Sequence, residues 1–135
     1  MRIMLDTNVL ISAFVFKSKI MNEVIETILT EHKLVLSSFV LDELKRVVSI
    51  KFQGKSVALD EFLTALPYEL VYTPEIMNRN LFEIRDEMDY PVLYTAIIED
   101  VDILVTGDKD FSDVEIEKPD ILTPGQFAEE YIRRK

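Results

Sequence analysis

At 135 residues and 48% hydrophobic content the chain can bury one sizeable core, so residues 1–135 are expected to form a single domain. There is no cysteine, which excludes disulfides, thiolate metal sites and thiol nucleophiles, leaves oxygen ligands or the one histidine for any metal, and fits a reducing cytoplasm. The formal net charge of −10 argues against strong binding of nucleic acid through phosphate contacts, unless acids clustered around a divalent ion are neutralised locally.

Arg2 to Leu5 is a short apolar run stopped by Asp6-Thr7-Asn8. It reads as a buried strand closed by turn residues, and Asp6 falls too early for a signal peptide. Ile20, Val24, Ile25 and Ile28 have helical spacing. Lys33 to Leu36, before Ser37-Ser38, is a second strand, and Val40, Leu41, Leu44, Val47 and Val48 mark the helix after it. Lys51 to Ser56, with Gln53-Gly54, reads as a loop between two helices. Glu69 to Tyr72 is a third strand, Val92, Leu93, Ala96 and Ile97 another helix, and Asp102 to Val105 a strand before Thr106-Gly107-Asp108. A weaker strand lies around Ile121-Leu122, and Thr123-Pro124 starts a last helix with threonine as cap and proline at the first helical position. No apolar stretch approaches membrane-spanning length, so a soluble, cytoplasmic protein is expected.

Alternating strands and helices imply right-handed βαβ units, a central, mostly parallel sheet and helices on both faces: an α/β fold. In such sheets ligands bind beyond the carboxyl ends of the strands. Acids and hydroxyls fill those positions here. Asp6 closes the first strand, while Thr106, Asp108 and Asp110 follow the strand ending at Val105; if those two strands are neighbours, Asp6 and Asp108 meet. Glu43, a turn into the helix after Ser37-Ser38, overhangs the same edge, and Asp89, ahead of Pro91, can reach it from a helix start, with Asp86 competing for that role. Taken singly each acid is an ordinary turn, cap or solvated residue. Together, four segments delivering carboxylates to one edge repel one another unless a cation pairs with them, and all-oxygen ligands favour Mg²⁺ or Mn²⁺.

Lys17, Lys19, Lys45, Arg46, Lys51, Lys55, Arg79 and Lys109 are possible phosphate contacts, with Lys45 and Lys109 favoured as neighbours of the acids. His32 is assigned to a surface turn, and Phe14, Phe16, Phe39, Phe62 and Tyr94 to the core rather than to base stacking.

At Met4-Leu5-Asp6-Thr7-Asn8-Val9-Leu10, Ser38 to Glu43-Leu44, Arg85-Asp86 to Asp89-Tyr90-Pro91-Val92-Leu93, and Val105-Thr106-Gly107-Asp108-Lys109-Asp110-Phe111, the chain resembles a PIN domain. More narrowly, it resembles the PIN proteins that serve as toxins in bacterial toxin–antitoxin systems, over nearly its whole length through Thr123-Pro124-Gly125-Gln126-Phe127. The resemblance implies an α/β/α sandwich, Mg²⁺- or Mn²⁺-dependent endoribonuclease activity, frequent homodimers and often a cognate antitoxin. By position the family's four acids fall on Asp6, Glu43, Asp89 and Asp108, with Asp110 auxiliary and Asn8 and Thr106 as polar support. Tyr90 stands where some relatives carry an acid.

The expected site therefore has Asp6, Asp89 and Asp108 holding the metal and Glu43 completing its shell or orienting the attacking water. Asn8, Thr106, Asp86 and Asp110 support these groups. Two rivals stand beside a ribonuclease. One is a Mg²⁺-dependent phosphatase or phosphotransferase with Asp6 as nucleophile. The other is a catalytically silent PIN module that binds RNA or protein.

Overall fold

The structure, a computed structural model, describes residues 1–134. It is a three-layer α/β/α arrangement. Five parallel strands are ordered β3-β2-β1-β4-β5, with β1 at Arg2–Leu5, β2 at Lys33–Ser37, β3 at Glu69–Val71, β4 at Ile103–Val105 and β5 at Asp120–Leu122. Ile3, Met4, Leu5, Leu34, Val35, Leu36, Ile103, Leu104 and Val105 are all buried, because helices cover both faces of the sheet centre. This explains why the strands read as continuous apolar runs rather than alternations.

The helices are α1 (Thr7–Phe14), α2 (Lys19–Glu31), α3 (Ser38–Lys51), α4 (Ser56–Ala65), α5 (Tyr90–Ile98) and α6 (Pro124–Tyr131). α2 packs against α6, α3 against α4 and α5, and α1 touches both α2 and α3. Sequence spacing accounts for the buried faces: Met21, Val24, Ile25 and Ile28 on α2, and Val40, Leu41, Leu44 and Val48 on α3. Caps fix where the helices begin. Ser18 accepts the Met21 N–H, buried Ser37 accepts the Val40 N–H, and Thr123 with Gln126 forms a reciprocal capping box.

Three expectations change. Thr7 and Asn8 are not a turn; Asp6 caps a helix that begins at Thr7, and Val9, Leu10 and Ala13 form its buried side. The Lys51–Ser56 loop tightens into a 3-10 turn at Gln53–Lys55. Phe16 is 67% exposed, edge-on to Phe52, because it lies beyond the C-terminus of α1 and faces solvent rather than the core. His32 ends α2 at the amino-terminal edge of the sheet, beside the Met1 amino group and the Tyr131 ring, far from the carboxyl ends of the strands. No described helix is long and apolar enough to cross a membrane.

Candidate metal centre

β1 and β4 are adjacent and parallel, with Leu5 opposite Val105, so Asp6 and Thr106 leave the sheet side by side. Asp6 is 4% exposed and both its oxygens are engaged. Oδ1 accepts the Val9 N–H at 3.0 Å, the capping bond of α1, and Oδ2 accepts the Thr106 hydroxyl. The Thr106 oxygen accepts in turn the Asp108 N–H at 3.0 Å, and Asp108 Oδ1 caps the following 3-10 turn through the Asp110 N–H at 2.9 Å. Turn chemistry and site chemistry are therefore compatible at these residues. The caps that end the strands also aim the carboxyl groups.

Glu43 reaches the edge from α3. Its Oε1 accepts the hydroxyl of buried Thr7 at 2.5 Å, and its Oε2 lies 3.8 Å from the Arg46 guanidinium. Thr7 is a positioning residue that the sequence reading passed over, since it resembled a turn threonine. Asn8 is exposed on the first turn of α1 and lines a separate hollow with Ser12, Ser18, Gly107 and Pro124.

The remaining acids come from the irregular segment before α5. Asp86 Oδ1 accepts the Met88 N–H at 2.9 Å and so caps the 3-10 turn Glu87–Asp89. Asp89 occupies the N-cap position of α5 yet makes no capping bond with its side chain; its Oδ2 is buried and meets no donor. The segment is held by aromatic rings. Tyr90 is buried, stacks on Phe82 with centroids 4.2 Å apart, donates its hydroxyl to the Asn78 carbonyl, and carries the Arg79 guanidinium over its face. Such stacking contributes about 0.5–1.5 kcal/mol per pair beyond area burial. Tyr90 thus serves as a pin that sets Asp86 and Asp89 in place.

One carboxylate oxygen from each of Asp86, Asp89 and Asp110 lies within 4.8 Å of the other two. Electrostatics links this rim to the buried floor. Burial pushes Asp6 up to about 6, against the opposing pull of the Thr106 and Val9 hydrogen bonds, with smaller upward contributions from Asp108 and Glu43. Asp89 is pushed up to about 7, first by burial and then by the charges of Asp108 and Asp86. Asp110 is raised by partial burial and by Asp108. Two guanidinium groups offset part of the charge: Arg46 at Glu43, and Arg85, 3.9 Å from Asp110 and 2.5 Å from Asp113. Arg85 was absent from the sequence-derived cations because it stands inside the acidic stretch. Lys45 and Lys109 are exposed and make no ion pair among the described residues.

The donor set fits a hard divalent cation. Its atoms are all oxygens, they converge from separate segments, and a buried carboxylate oxygen of Asp89 lacks any donor. Of the sequence-derived residues, Asp86, Asp89 and Asp110 bring carboxylate oxygens together at the rim, Asp108 acts on both Asp89 and Asp6, and Glu43 acts on Asp6, which also holds the Thr106 hydroxyl.

The family model described as PIN domain matches residues 2–110. Among solved structures, the chain is similar to the crystal structure of VapBC2 from Rickettsia felis bound to a DNA fragment from their promoter. The TM-score is 0.66 at 22% identity, with 91% of this chain and 97% of that chain covered. At that identity the likeness speaks for the fold. No curated protein matches the sequence.

Proposed function

We propose, from the premise that this chain belongs to the PIN domain family, that it is a Mg²⁺- or Mn²⁺-dependent endoribonuclease, acting as the toxin of a toxin–antitoxin pair. The observation that carries this reading is the convergence of carboxylate oxygens from Asp86, Asp89 and Asp110, with Asp108 acting on Asp89 and a buried Asp89 oxygen that meets no donor. Asp89, Asp86 and Asp110 would hold the ion, with Asp108 and Asp6 completing its surroundings directly or through water. When bound, the ion supplies Lewis-acid stabilisation of a phosphodiester and a lowered pKa for water.

The chain's own residues do the rest. Asp6, kept from rotating by the Val9 N–H and the Thr106 hydroxyl, presents its carboxyl group at a fixed orientation in the floor of the site. Glu43, held by Thr7, is placed to orient a water at the edge. Arg46 and Arg85 each stand beside a site carboxylate, where they lower the repulsion met by an incoming phosphate. A homodimer and a cognate antitoxin are part of this proposal; the likeness to VapBC2 from Rickettsia felis supports looking for the latter.

Of the rival enzyme reading, in which Asp6 attacks phosphorus, the hydrogen bonding is unfavourable: Asp6 is buried and both oxygens already accept hydrogen bonds. The experiment is cleavage of single-stranded RNA by the full chain with Mg²⁺ or Mn²⁺, compared with Asp6→Asn and Asp89→Asn. Metal-dependent cleavage lost in both variants is expected, by roughly two orders of magnitude or more. Wild-type turnover retained in either variant would sink the proposal, and metal binding without any cleavage would favour the silent module.

A further inference from the structure

Beyond Asp108 the carboxyl edge of the sheet opens into a cleft of about 370 Å³. It runs from Thr106 and Asp108 along the ends of β4 and β5 to Gln126 at the start of α6, with Val114 and Ile116 on its outer wall. The volume lies at the small end of the range for ligand sites, roughly 300–1,000 Å³. Its lining is mixed: Val114, Ile116, Ile121 and Leu122 supply apolar surface, and Ser112 and Gln126 add polar groups. Lys109, exposed and without an ion pair among the described residues, stands in its wall. The cleft shares Asp108 and Thr106 with the acidic site, and the residue between them in sequence lines the cleft as well.

That residue is Gly107, and nothing inside the chain requires a glycine there. No glycine in the described structure has positive φ, and a Cβ built on Gly107 would meet no atom within 4 Å. Gly107 also lines the second hollow, the one holding Asn8, Ser12 and Pro124. It is a bare saddle between two depressions, placed between Thr106 and Asp108, and a side chain there would stand in the path between them.

We propose that the cleft seats one nucleoside of a nucleic-acid strand, next to the phosphate presented to the acids, and that the strand reaches it across the saddle at Gly107. In naming the strand this rests on the nuclease reading above. The chemistry matches a nucleoside: apolar side chains for a flat base alongside polar groups for its edges, an unpaired ammonium for a phosphate, and residues shared with the candidate metal centre. Gly107 is then a positioning residue whose function is to leave room.

The test is titration of the full ¹⁵N-labelled chain in Mg²⁺ buffer with each ribonucleoside 5′-monophosphate, and with ribose 5-phosphate as the base-free control, while RNA cleavage is assayed separately. Saturable shifts at the amides of Ser112 and Gln126 are expected with nucleotides and not with the sugar phosphate, whereas the amides of Gly107 and Lys109, next to the phosphate, shift with both. Gly107→Leu should weaken that binding roughly tenfold or more, with an unchanged or slightly raised melting temperature, since losing a glycine restricts the unfolded chain. Gly107→Ala carries the same test with a smaller loss should leucine disturb folding. A cleft silent to all four nucleotides, equal shifts at Ser112 and Gln126 with ribose 5-phosphate, or wild-type binding by both variants would overturn the assignment. Cleavage of RNA with a silent cleft overturns the cleft alone. Nucleotide binding at the cleft without RNA cleavage supports the cleft and removes the nuclease reading.

Discussion

Replacing Asp6 with asparagine should abolish activity and, in the metal-free protein, raise stability. Asp6 is 4% exposed and its carboxyl is pushed from 3.8 to about 6, mainly by burial. A folded-state pKa above the unfolded value means that the group favours the fold fully below about pH 4 and loses that contribution as pH rises through about 6. The shift is about two units, equivalent to about 3 kcal/mol of unfavourable free energy at neutral pH. Asparagine removes the charge and keeps an acceptor for the Val9 N–H, but its amide nitrogen cannot accept the Thr106 hydroxyl, so that charge-assisted bond is lost. The net gain should be about 1–3 kcal/mol, or about 4–10 °C in melting temperature for a chain of this size. Melting curves in chelator from about pH 4 to about pH 8 should show the variant above wild type at the alkaline end, with the gap closing towards acid. Mn²⁺ should then raise wild type more than the variant, because it neutralises the charge that asparagine lacks. A variant that melts below wild type at neutral pH, or a gap independent of pH, would refute the claim that Asp6 is held in the fold at an electrostatic cost.

Two further substitutions probe other parts of the structure. Thr106→Val removes the hydroxyl that holds Asp6 down and the acceptor of the Asp108 N–H; the acid limb of the pH–activity profile should move to higher pH, and stability should fall by about 1–3 kcal/mol. An unmoved limb would disconnect Asp6 from turnover. Arg2→Ala breaks the contacts to Glu69 and the Glu99 carbonyl at the opposite edge, so urea denaturation should show a loss of about 1–2 kcal/mol while Mn²⁺ affinity stays unchanged. A drop in metal affinity would mean that the two edges are coupled.

Much of the fold was legible because each strand is an apolar run ended by polar residues, and because α2 and α3 keep a strict buried stripe. The helix at Thr7–Phe14 was harder to see. Asp6-Thr7-Asn8 carries turn chemistry, and an eight-residue helix offers too few apolar positions to announce a period, although Asp6 three residues before Val9 is itself a cap signature. Asp86 and Asp89, alternatives for one position in the sequence, both lie beside Asp110; Asp86 caps the 3-10 turn before α5, and Asp89 makes no capping bond. Tyr90, whose non-acidic identity looked like a departure from the family's pattern, is buried in the ring stack that orders this segment. Thr7 and Arg85 escaped notice because their partners, Glu43 and Asp110, are 36 and 25 residues away in sequence.

Local physics written into the sequence determined the strands, most of the helices, their caps and the placement of acids at strand ends, because period, propensity and capping act over a few residues. Only tertiary structure decided that β4 lies against β1, that carboxylates from distant segments meet there, and that Asp89 keeps a buried oxygen without a donor. Strand order and the electrostatic repulsion among those acids depend on distances through space, which separations along the chain do not encode.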